Sequence, residues 1–271
     1  MKGLDNYIMG INNPDAPFNS HLITNWLDTI HNDDCFNVMP KIERHKVDLI
    51  LADLPYGTTA CKWDAKLPFK EMWNEFNRLL KPTGVIVLTA SQPFTSALVM
   101  SNPKMFKYEW IWEKSRPSGI ALSKSQPMRK HENILVFANG KTTFNKILED
   151  KEYMGEKSKR GVWNTWNTSS EHGLGKTNKK LCNEKRNPTT VLKVASTTNF
   201  PKSFHPTQKP LALMEYLIRT YTNDGELVLD CCMGSGTTCL AAKRTGRSYI
   251  GIEQDEKYFK IAEQRLNETL L

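Results

Sequence analysis

The sequence lacks an apolar run of about 18 residues, the length that a membrane-spanning helix needs, so no such helix is predicted. Residues 1–18 also lack a basic segment followed by an apolar one, and they do not resemble a secretory signal. None of the six cysteines forms a C-x-x-C pair, so we expect reduced, packed thiols and not a zinc site or disulfides. These absences predict a cytoplasmic chain with no membrane partner and no metal.

The chain is long enough for one large domain, or for one domain with a substantial insert. It has 271 residues, of which 39% are hydrophobic, and its formal net charge is +8. Residues 141–204 hold 13 Lys and Arg against 6 Asp and Glu, so nearly the whole positive excess lies in one quarter of the chain. Such a segment favours an anionic partner such as nucleic acid, although a solvated loop has the same composition.

Apolar runs and helical spacings alternate along the rest of the chain. Runs of branched and aromatic residues predict strands at residues 47–52, 85–88, 108–112, 133–137, 227–229 and 249–252. Apolar residues at helical spacing predict helices at residues 71–80, 211–221, 237–245 and about 255–267. Strands that alternate with helices favour an α/β fold in which a parallel sheet carries helices on both faces.

A glycine-rich turn lies between the predicted strand at 227–229 and the helix that follows it. It reads Asp-Cys-Cys-Met-Gly-Ser-Gly-Thr-Thr from Asp230 to Thr238, and Glu253 ends the next strand. Glycines let a ligand approach the backbone closely, and an acid after the following strand can accept both hydroxyls of a ribose. Cys239 replaces the third glycine of a dinucleotide fingerprint, and the lysine of a phosphate-binding P-loop is absent. An aspartate before the glycines suits a cofactor with an amino-acid end, a description that S-adenosylmethionine fits.

Several further motifs occur in a specific order. Asp-Leu-Pro-Tyr occupies residues 53–56, directly after a predicted strand. The others are Trp-Glu-Lys at 112–114, His-Glu-Asn-Ile-Leu-Val-Phe at 131–137, His-Pro-Thr-Gln-Lys-Pro at 205–210 and Gly-Arg-Ser-Tyr-Ile-Gly-Ile-Glu at 246–253. Together they resemble the DNA amino-methyltransferase family, in its permuted β group, over roughly two thirds of the chain. The family's signature is Asp/Asn/Ser-Pro-Pro-aromatic, so Leu54 stands where the first proline is usual.

The resemblance implies a Rossmann-like, doubly wound and mostly parallel sheet that is circularly permuted and carries a basic insert. Residues 30–139 would form the catalytic half of the methyltransferase domain, 140–203 the target-recognition insert, and 204–271 the cofactor-binding half. The strand that ends at Asp53 would lie beside the one that ends at Asp230, and both motifs would then face one crevice.

The resemblance also implies catalytic roles for the residues of the first motif. An aromatic amine is a poor nucleophile because its lone pair is delocalised into the ring. Asp53 and the carbonyl of Leu54 would accept its two hydrogens and aim the lone pair at the sulfonium methyl. Pro55 would keep the turn stiff, whereas Leu54 lacks the fixed φ of proline. Tyr56 would stack on a base extruded from the duplex.

A second group of residues is implied to bind the cofactor. These residues are Asp34, His205, Thr207, Asp230, Gly234, Ser235, Gly236, Thr237, Thr238 and Glu253. Residues 30–34 would supply the edge strand that the permutation moved forward. Asp34 would then receive the adenine amine of the cofactor or, alternatively, cap a helix over residues 36–42.

Lys209, His131 and the two cysteines of the cofactor loop lie in or near these motifs. Lys209 either lines the methionine end of the cofactor or is a solvated surface charge, and His131 is expected to be structural. Family members commonly have Pro-Phe after the aspartate of the cofactor loop, where this chain has Cys231 and Cys232. An aromatic contact to the cofactor is therefore expected to be missing.

The expected function is transfer of a methyl group from S-adenosylmethionine to the N6 amine of adenine in duplex DNA. Adenine is favoured because cytosine-amine members more often carry serine in place of Asp53. Methylation of the cytosine N4 amine is one alternative, and a DNA-binding module inactivated at Leu54, Cys231 and Cys232 is another. A nicotinamide-dependent oxidoreductase is a third, which the missing third glycine opposes.

The expected partner is duplex DNA. Lys and Arg of residues 140–203 would neutralise phosphates, and polar side chains there would read base edges. The loop at 116–129 is a second segment expected to approach DNA. The resemblance also permits a homodimer and a companion restriction enzyme.

Overall fold

The computed structural model describes residues 26–57, 67–150, 185–196 and 208–268. Its strands are β1 (Thr29–His31), β2 (Val47–Ala52), β3 (Leu80–Ala90), β4 (Phe106–Ser118), β5 (Arg129–Phe137), β6 (Glu149–Asp150), β7 (Lys185–Arg186), β8 (Val191–Val194), β9 (Leu227–Asp230) and β10 (Ser248–Ile252). Its α-helices are α1 (Cys35–Val38), α2 (Phe69–Leu79), α3 (Phe94–Ser101), α4 (Leu211–Tyr221), α5 (Thr237–Arg244) and α6 (Glu256–Glu268). Within these residues, no helix has the length and apolar character needed to cross a membrane.

Eight strands form one sheet in the order β1-β10-β9-β2-β3-β5-β4-β8. The first five run parallel to one another, β5 is antiparallel to both of its neighbours, and β8 is parallel to β4. β6 and β7 form a separate antiparallel pair. The predicted α/β fold with a mostly parallel sheet is confirmed.

The two faces of the sheet carry separate apolar layers. Ile50 and Ala52 of β2 belong to a layer that includes residues of α1, α2 and α3. Leu49 and Leu51 belong to the opposite layer, which includes residues of α4, α5 and α6. Because successive side chains of a strand point to opposite faces, a strand covered on both sides is apolar throughout, as β2 nearly is. This is the doubly wound arrangement that the sequence predicted.

The N-terminal and C-terminal parts of the chain share this sheet. β1 pairs with β10, with His31 opposite Ile252, and thereby supplies the predicted edge strand. The strand ends at His31 and does not reach residue 34, because Asp34 begins the next helix. β2 pairs with β9, as predicted, with Ile50 opposite Leu229. The proposed domain boundaries at residues 139/140 and 203/204 stay predictions.

Several elements differ from the predicted ones: α3 was not predicted, and β4 and β5 are longer than the strands expected there. α1 stops at Val38, and a short 3-10 helix follows at Met39–Lys41, because a proline at residue 40 disfavours a continuous α-helix. β3 begins directly after α2, where Leu80 takes an extended conformation. β8 lies inside the predicted insert but pairs with β4, so the insert contributes an edge strand to the main sheet.

Candidate active site

Two carboxylates emerge side by side at the carboxyl edge of the sheet. Asp53 follows β2 and Asp230 ends β9, and these two strands are paired in parallel. The chain leaves β2 toward α2 on one face and leaves β9 toward α5 on the other. A crevice opens where neighbouring strands connect to opposite faces of a sheet, and ligands of open α/β sheets bind there. The structure therefore brings the two predicted motifs together.

Asp53 is held by donors on both of its oxygens. Its Oδ1 accepts hydrogen bonds from the Tyr56 hydroxyl, at 2.8 Å, and from the Thr89 hydroxyl. Its Oδ2 lies 2.5 Å from the Lys209 ammonium. Its side chain is 26% exposed, so a ligand in the crevice can still reach it. The result is a carboxylate with a fixed orientation at an accessible position.

The residues after Asp53 form a packed turn. Leu54 is 3% exposed and lies in the apolar layer, so its side chain anchors the turn where the family has proline. The ring of Tyr56 stacks on Phe94 with centroids 5.1 Å apart and planes at 24°. Burial raises the pKa of Tyr56, with the Asp53 carboxylate adding to the effect, so its hydroxyl remains a donor. Pro55 is half-buried between them.

The glycine-rich loop folds tightly between β9 and α5. Gly234 and Gly236 have φ of 52° and 75°, values that favour glycine. A Cβ on Gly236 would lie 2.8 Å from the Cβ of Ala262, so α6 packs directly against the loop. Arg265 of α6 donates to the Ser235 carbonyl, to the Ser235 hydroxyl at 3.0 Å and to the Thr237 hydroxyl at 3.2 Å. The last helix thus fixes the loop from behind.

Asp230 is a buried acid at the start of this loop. It is 3% exposed, and its Oδ1 accepts the backbone N–H of Cys232 at 3.1 Å. Burial raises the pKa of Asp230 to about 7, although a hydrogen bond from the Thr238 hydroxyl acts in the opposite direction. No ion pair involves Asp230 within the described part of the chain. A cationic ligand beside it would stabilise the charged form.

Glu253 follows β10 directly, and Asp34 lies three residues after the end of β1. Glu253 accepts the backbone N–H of Gly234 and that of Asp255, both at 2.8 Å, and burial raises the pKa of Glu253. Asp34 accepts the N–H of Phe36 at 2.8 Å and so caps α1, which is one of its two predicted roles. Its contact with the cofactor stays a prediction.

The structure corrects one interpretation and adds residues that sequence reasoning missed. Lys209 is 7% exposed and paired with Asp53, so it is not a solvated surface charge. Thr89 and Arg265 were not predicted as site residues, because each belongs to an element whose pattern indicates only a strand or a helix. The predicted residues His205 and Thr207 lie outside the described residues.

Three thiols cluster beside the loop. Cys35, Cys231 and Cys232 are free, and Cys232 is hydrogen-bonded to both of the others. The hydrogen bond with Cys232 and burial raise the pKa of Cys35. The hydrogen bond with Cys231 and burial raise the pKa of Cys232, although its bond with Cys35 acts in the opposite direction, so both thiols remain protonated. The described residues contain no group of three or more His, Cys, Asp or Glu arranged to hold a metal ion. Cys35 and Cys231 are buried and Cys232 is partly buried where they pack at this end of the crevice.

Comparisons with known proteins agree with this geometry. The model of the DNA methylase family matches residues 47–264. Type II methyltransferase M1.MboII of Moraxella bovis is 29% identical over an alignment of 271 positions, which covers 89% of this chain and 97% of that protein. Type II methyltransferase M.HpaI of Haemophilus parainfluenzae is 31% identical over 254 residues, which cover 86% and 72% of the two chains.

A solved structure extends the likeness to the fold. The structure of M1.HpyAVI in complex with S-adenosylmethionine superimposes with a TM-score of 0.60 at 27% identity, covering 88% of this chain and 98% of that one. The family match spans both the strand before Asp53 and the loop after Asp230, the two motifs that meet in the crevice. This chain therefore belongs to the DNA methylase family.

Proposed function

We propose that this protein transfers a methyl group from S-adenosylmethionine to the N6 amine of adenine in duplex DNA, after extruding the target base into the crevice. The observation that carries the proposal is the pairing of β2 with β9. It brings an oriented acceptor, Asp53, to the same edge as a glycine-rich loop with a buried acid, Asp230. One side of the crevice then holds the amine and the other the methyl donor.

The residues around the loop fit this cofactor. Asp230 lacks an ion-pair partner among the described residues, and S-adenosylmethionine brings both an ammonium and a sulfonium. Glu253 uses its two oxygens for backbone N–H groups and still has lone pairs for ribose hydroxyls. When bound, the cofactor supplies an electrophilic methyl group. Of the other predicted cofactor contacts, Ser235 lies on the same loop, and Thr237 and Thr238 begin α5.

The catalytic residues act by positioning. Asp53 and the carbonyl of Leu54 accept the two hydrogens of the target amine, which favours a pyramidal nitrogen whose lone pair points at the methyl group. Thr89 and Tyr56 fix Asp53 before the base arrives. The nitrogen forms its new bond to the methyl carbon as the sulfur–carbon bond breaks, and it then releases a proton to solvent. Pro55 stiffens the turn that holds these groups.

DNA approaches the same edge of the sheet. β4 runs parallel to β3, so the hairpin that joins β4 to β5 projects from the edge where Asp53 lies. This hairpin exposes Arg116, Lys124 and Arg129, which suit a phosphate backbone. The basic segment at residues 140–203 supplies further contacts and base readout in this proposal, although most of it lies outside the described residues.

Adenine is the proposed target because Asp53 occupies the first position of the signature, where cytosine-amine members of the family more often have serine. The cytosine N4 amine presents two hydrogens to the same acceptors, so methylation of cytosine N4 is the outcome that would overturn this choice. Purified protein, unmethylated duplex DNA and methyl-labelled S-adenosylmethionine are incubated, and the modified nucleoside is identified by mass spectrometry. N6-methyladenine is expected.

Two variants separate an enzyme from an inactive DNA-binding module. Asp53→Ala should abolish methylation while DNA and cofactor binding persist, because it removes an acceptor without disturbing the loop. Glu71→Ala, which removes an exposed carboxylate from α2, is the matched control and should retain activity. Equal methylation by wild type and Asp53→Ala would refute the catalytic assignment. Wild-type protein that binds DNA but neither binds the cofactor nor methylates would favour the inactive module.

A further inference from the structure

Lys209 is a buried lysine whose ammonium lies between two carboxylates. It is 7% exposed, and its Nζ lies 2.5 Å from Asp53 Oδ2 and 3.6 Å from Glu132 Oε2. Lys114 Nζ lies 3.1 Å from the other oxygen of Glu132. Positive and negative groups therefore alternate through Lys114, Glu132, Lys209 and Asp53, which we call the charge row. The row joins β4, β5, the segment before α4 and the end of β2.

The charge row contains one acceptor without a donor. Glu132 Oε2 is buried and accepts no hydrogen bond from any described residue. Its 3.6 Å separation from Lys209 Nζ is too long for a hydrogen bond but short enough for a strong ionic attraction. Buried carboxylate oxygens are rarely left unpaired, so a donor that can move toward Glu132 has a favourable place to go.

Asp53 presents the opposite situation, because donors already contact both of its oxygens. The hydroxyls of Tyr56 and Thr89 share Oδ1, which leaves Oδ2 for an incoming amine. The Lys209 ammonium occupies Oδ2 in this structure. An N–H donor that approaches Oδ2 must therefore share this oxygen with the Lys209 ammonium, and a shift of the ammonium toward Glu132 Oε2 would relieve the crowding.

We propose that Lys209 is a positioning residue of the methylation reaction: its ammonium balances the charge of Asp53 and fixes its orientation in the free enzyme, and it moves to Glu132 Oε2 when the target amine reaches Asp53. This inference rests on the proposed function. Burial acts against a charge on Lys209, but the Asp53 and Glu132 carboxylates outweigh it and hold the pKa of Lys209 above its usual value. The cation is therefore present throughout the neutral range.

Removal of this cation leaves an unbalanced group of acids. Asp53 faces Glu132 across the position of Lys209, and it also lies near Tyr56 and Asp230, with Lys114 as the remaining cation of the charge row. Like charges in a buried site favour the uptake of a proton that the acids share. A protonated Asp53 is a poorer acceptor for the target amine, so activity becomes dependent on pH.

The first experiment compares kcat against pH, from 6 to 9, for wild type, Lys209→Met and Lys209→Arg. The methionine variant should show kcat about tenfold lower at pH 7 than at pH 9, because the shared proton is lost as the pH rises. Lys209→Arg should retain the wild-type profile, since it keeps the cation. Lys260→Met removes an exposed lysine paired with Glu256 at 2.6 Å on α6, and as the matched control it should leave the profile unchanged.

The second experiment tests the movement toward Glu132. Glu132→Gln keeps the shape of the acceptor but removes its charge, so it should lower kcat without introducing a new pH dependence or changing cofactor affinity. Combining it with Lys209→Met removes one of the two competing acids and should flatten the steep profile of Lys209→Met. Isothermal titration with S-adenosylmethionine, run on every variant, shows that the fold and the loop are intact.

The outcomes are distinct from those that test the proposed function. Absence of methylation by wild type refutes that function. Active wild type together with a wild-type pH profile in Lys209→Met overturns the role of the cation, and unchanged kcat in Glu132→Gln overturns the movement. A Lys209→Met profile that Glu132→Gln fails to flatten means that these two acids do not share the proton, which also contradicts the proposal.

Discussion

Asp230→Asn should stabilise the cofactor-free protein and weaken its function, and the size of the effect should depend on pH. The wild-type carboxyl is 3% exposed, and burial raises its pKa to about 7. Asparagine has nearly the same shape, and its amide oxygen can still accept the N–H of Cys232. The substitution therefore removes the cost of burying a charge while it keeps the local hydrogen bond.

The sign and magnitude follow from proton linkage. The pKa of Asp230 rises on folding from 3.8 to about 7, so between these values the folded state binds more protons than the unfolded state. Stability contributed by this group therefore falls as the pH rises from about 4 to about 7 and stays low above that range. Between pH 5 and pH 8 the loss is about 2–3 kcal/mol of unfolding free energy. Asparagine does not titrate, so the variant does not lose this part of the unfolding free energy.

Urea unfolding of wild type and Asp230→Asn, without cofactor, at pH 5 and at pH 8 measures this difference. Relative to wild type, the unfolding free energy of the variant should be about 2–3 kcal/mol more favourable to folding at pH 8 than at pH 5. The other titrating groups are the same in both proteins, so their contributions cancel in this comparison. Its affinity for S-adenosylmethionine should fall at pH 8, where wild type offers a carboxylate. A stability difference that is equal at both pH values would refute the assignment of a titrating buried charge to Asp230.

Three further substitutions test the packing around the crevice. Gly251→Ala should cost about 1–3 kcal/mol in urea unfolding, because the added Cβ would collide with the sulfur atoms of Met233 and Cys239. Arg265→Met should raise the dissociation constant for S-adenosylmethionine, since it removes the donors that hold the glycine-rich loop; an unchanged constant would show that the loop keeps its shape without them. Leu54→Pro should lower stability by about 1–3 kcal/mol through lost packing yet retain methylation, because the backbone carbonyl is kept; loss of all methylation in a folded variant would contradict this.

Most of the sheet was predictable because its central strands are buried on both faces. β2 and β9 lie between two helical layers, so apart from Asp48 their residues are apolar without alternation up to the acid that marks the end of each strand. β8 was not predicted, because its burial pattern has only Leu192 fully buried and its sequence lies within a polar segment. Pairing with β4, a long-range contact, makes it a strand. Local patterns thus predict the centre of this fold better than its edges.

The candidate site also contains residues that the sequence predicts and residues that it does not. Asp53 and Asp230 stand in short motifs that carry their own signal, and the parallel pairing of two such strands places them together. The partners of Asp53 carry no comparable signal, because Thr89 lies 36 positions away and Lys209 lies 156 positions away along the chain. The motif at 205–210 includes Lys209, but whether its side chain faces solvent or the crevice depends on a contact that only the folded chain provides.

The two acids of the crevice differ in how their charge is balanced, and this difference matches what each must bind. Asp53 has a protein cation, Lys209, 2.5 Å from its Oδ2, so its negative charge is balanced before any ligand arrives, and it can act as an acceptor for a neutral amine. Asp230 has no such partner within the described part of the chain, and burial favours its neutral form. A cationic ligand is then required to balance the negative charge of an ionised Asp230. S-adenosylmethionine carries two positive groups before methyl transfer and one afterwards. Binding of S-adenosylmethionine should therefore lower the pKa of Asp230, and binding of the demethylated cofactor product should lower it less.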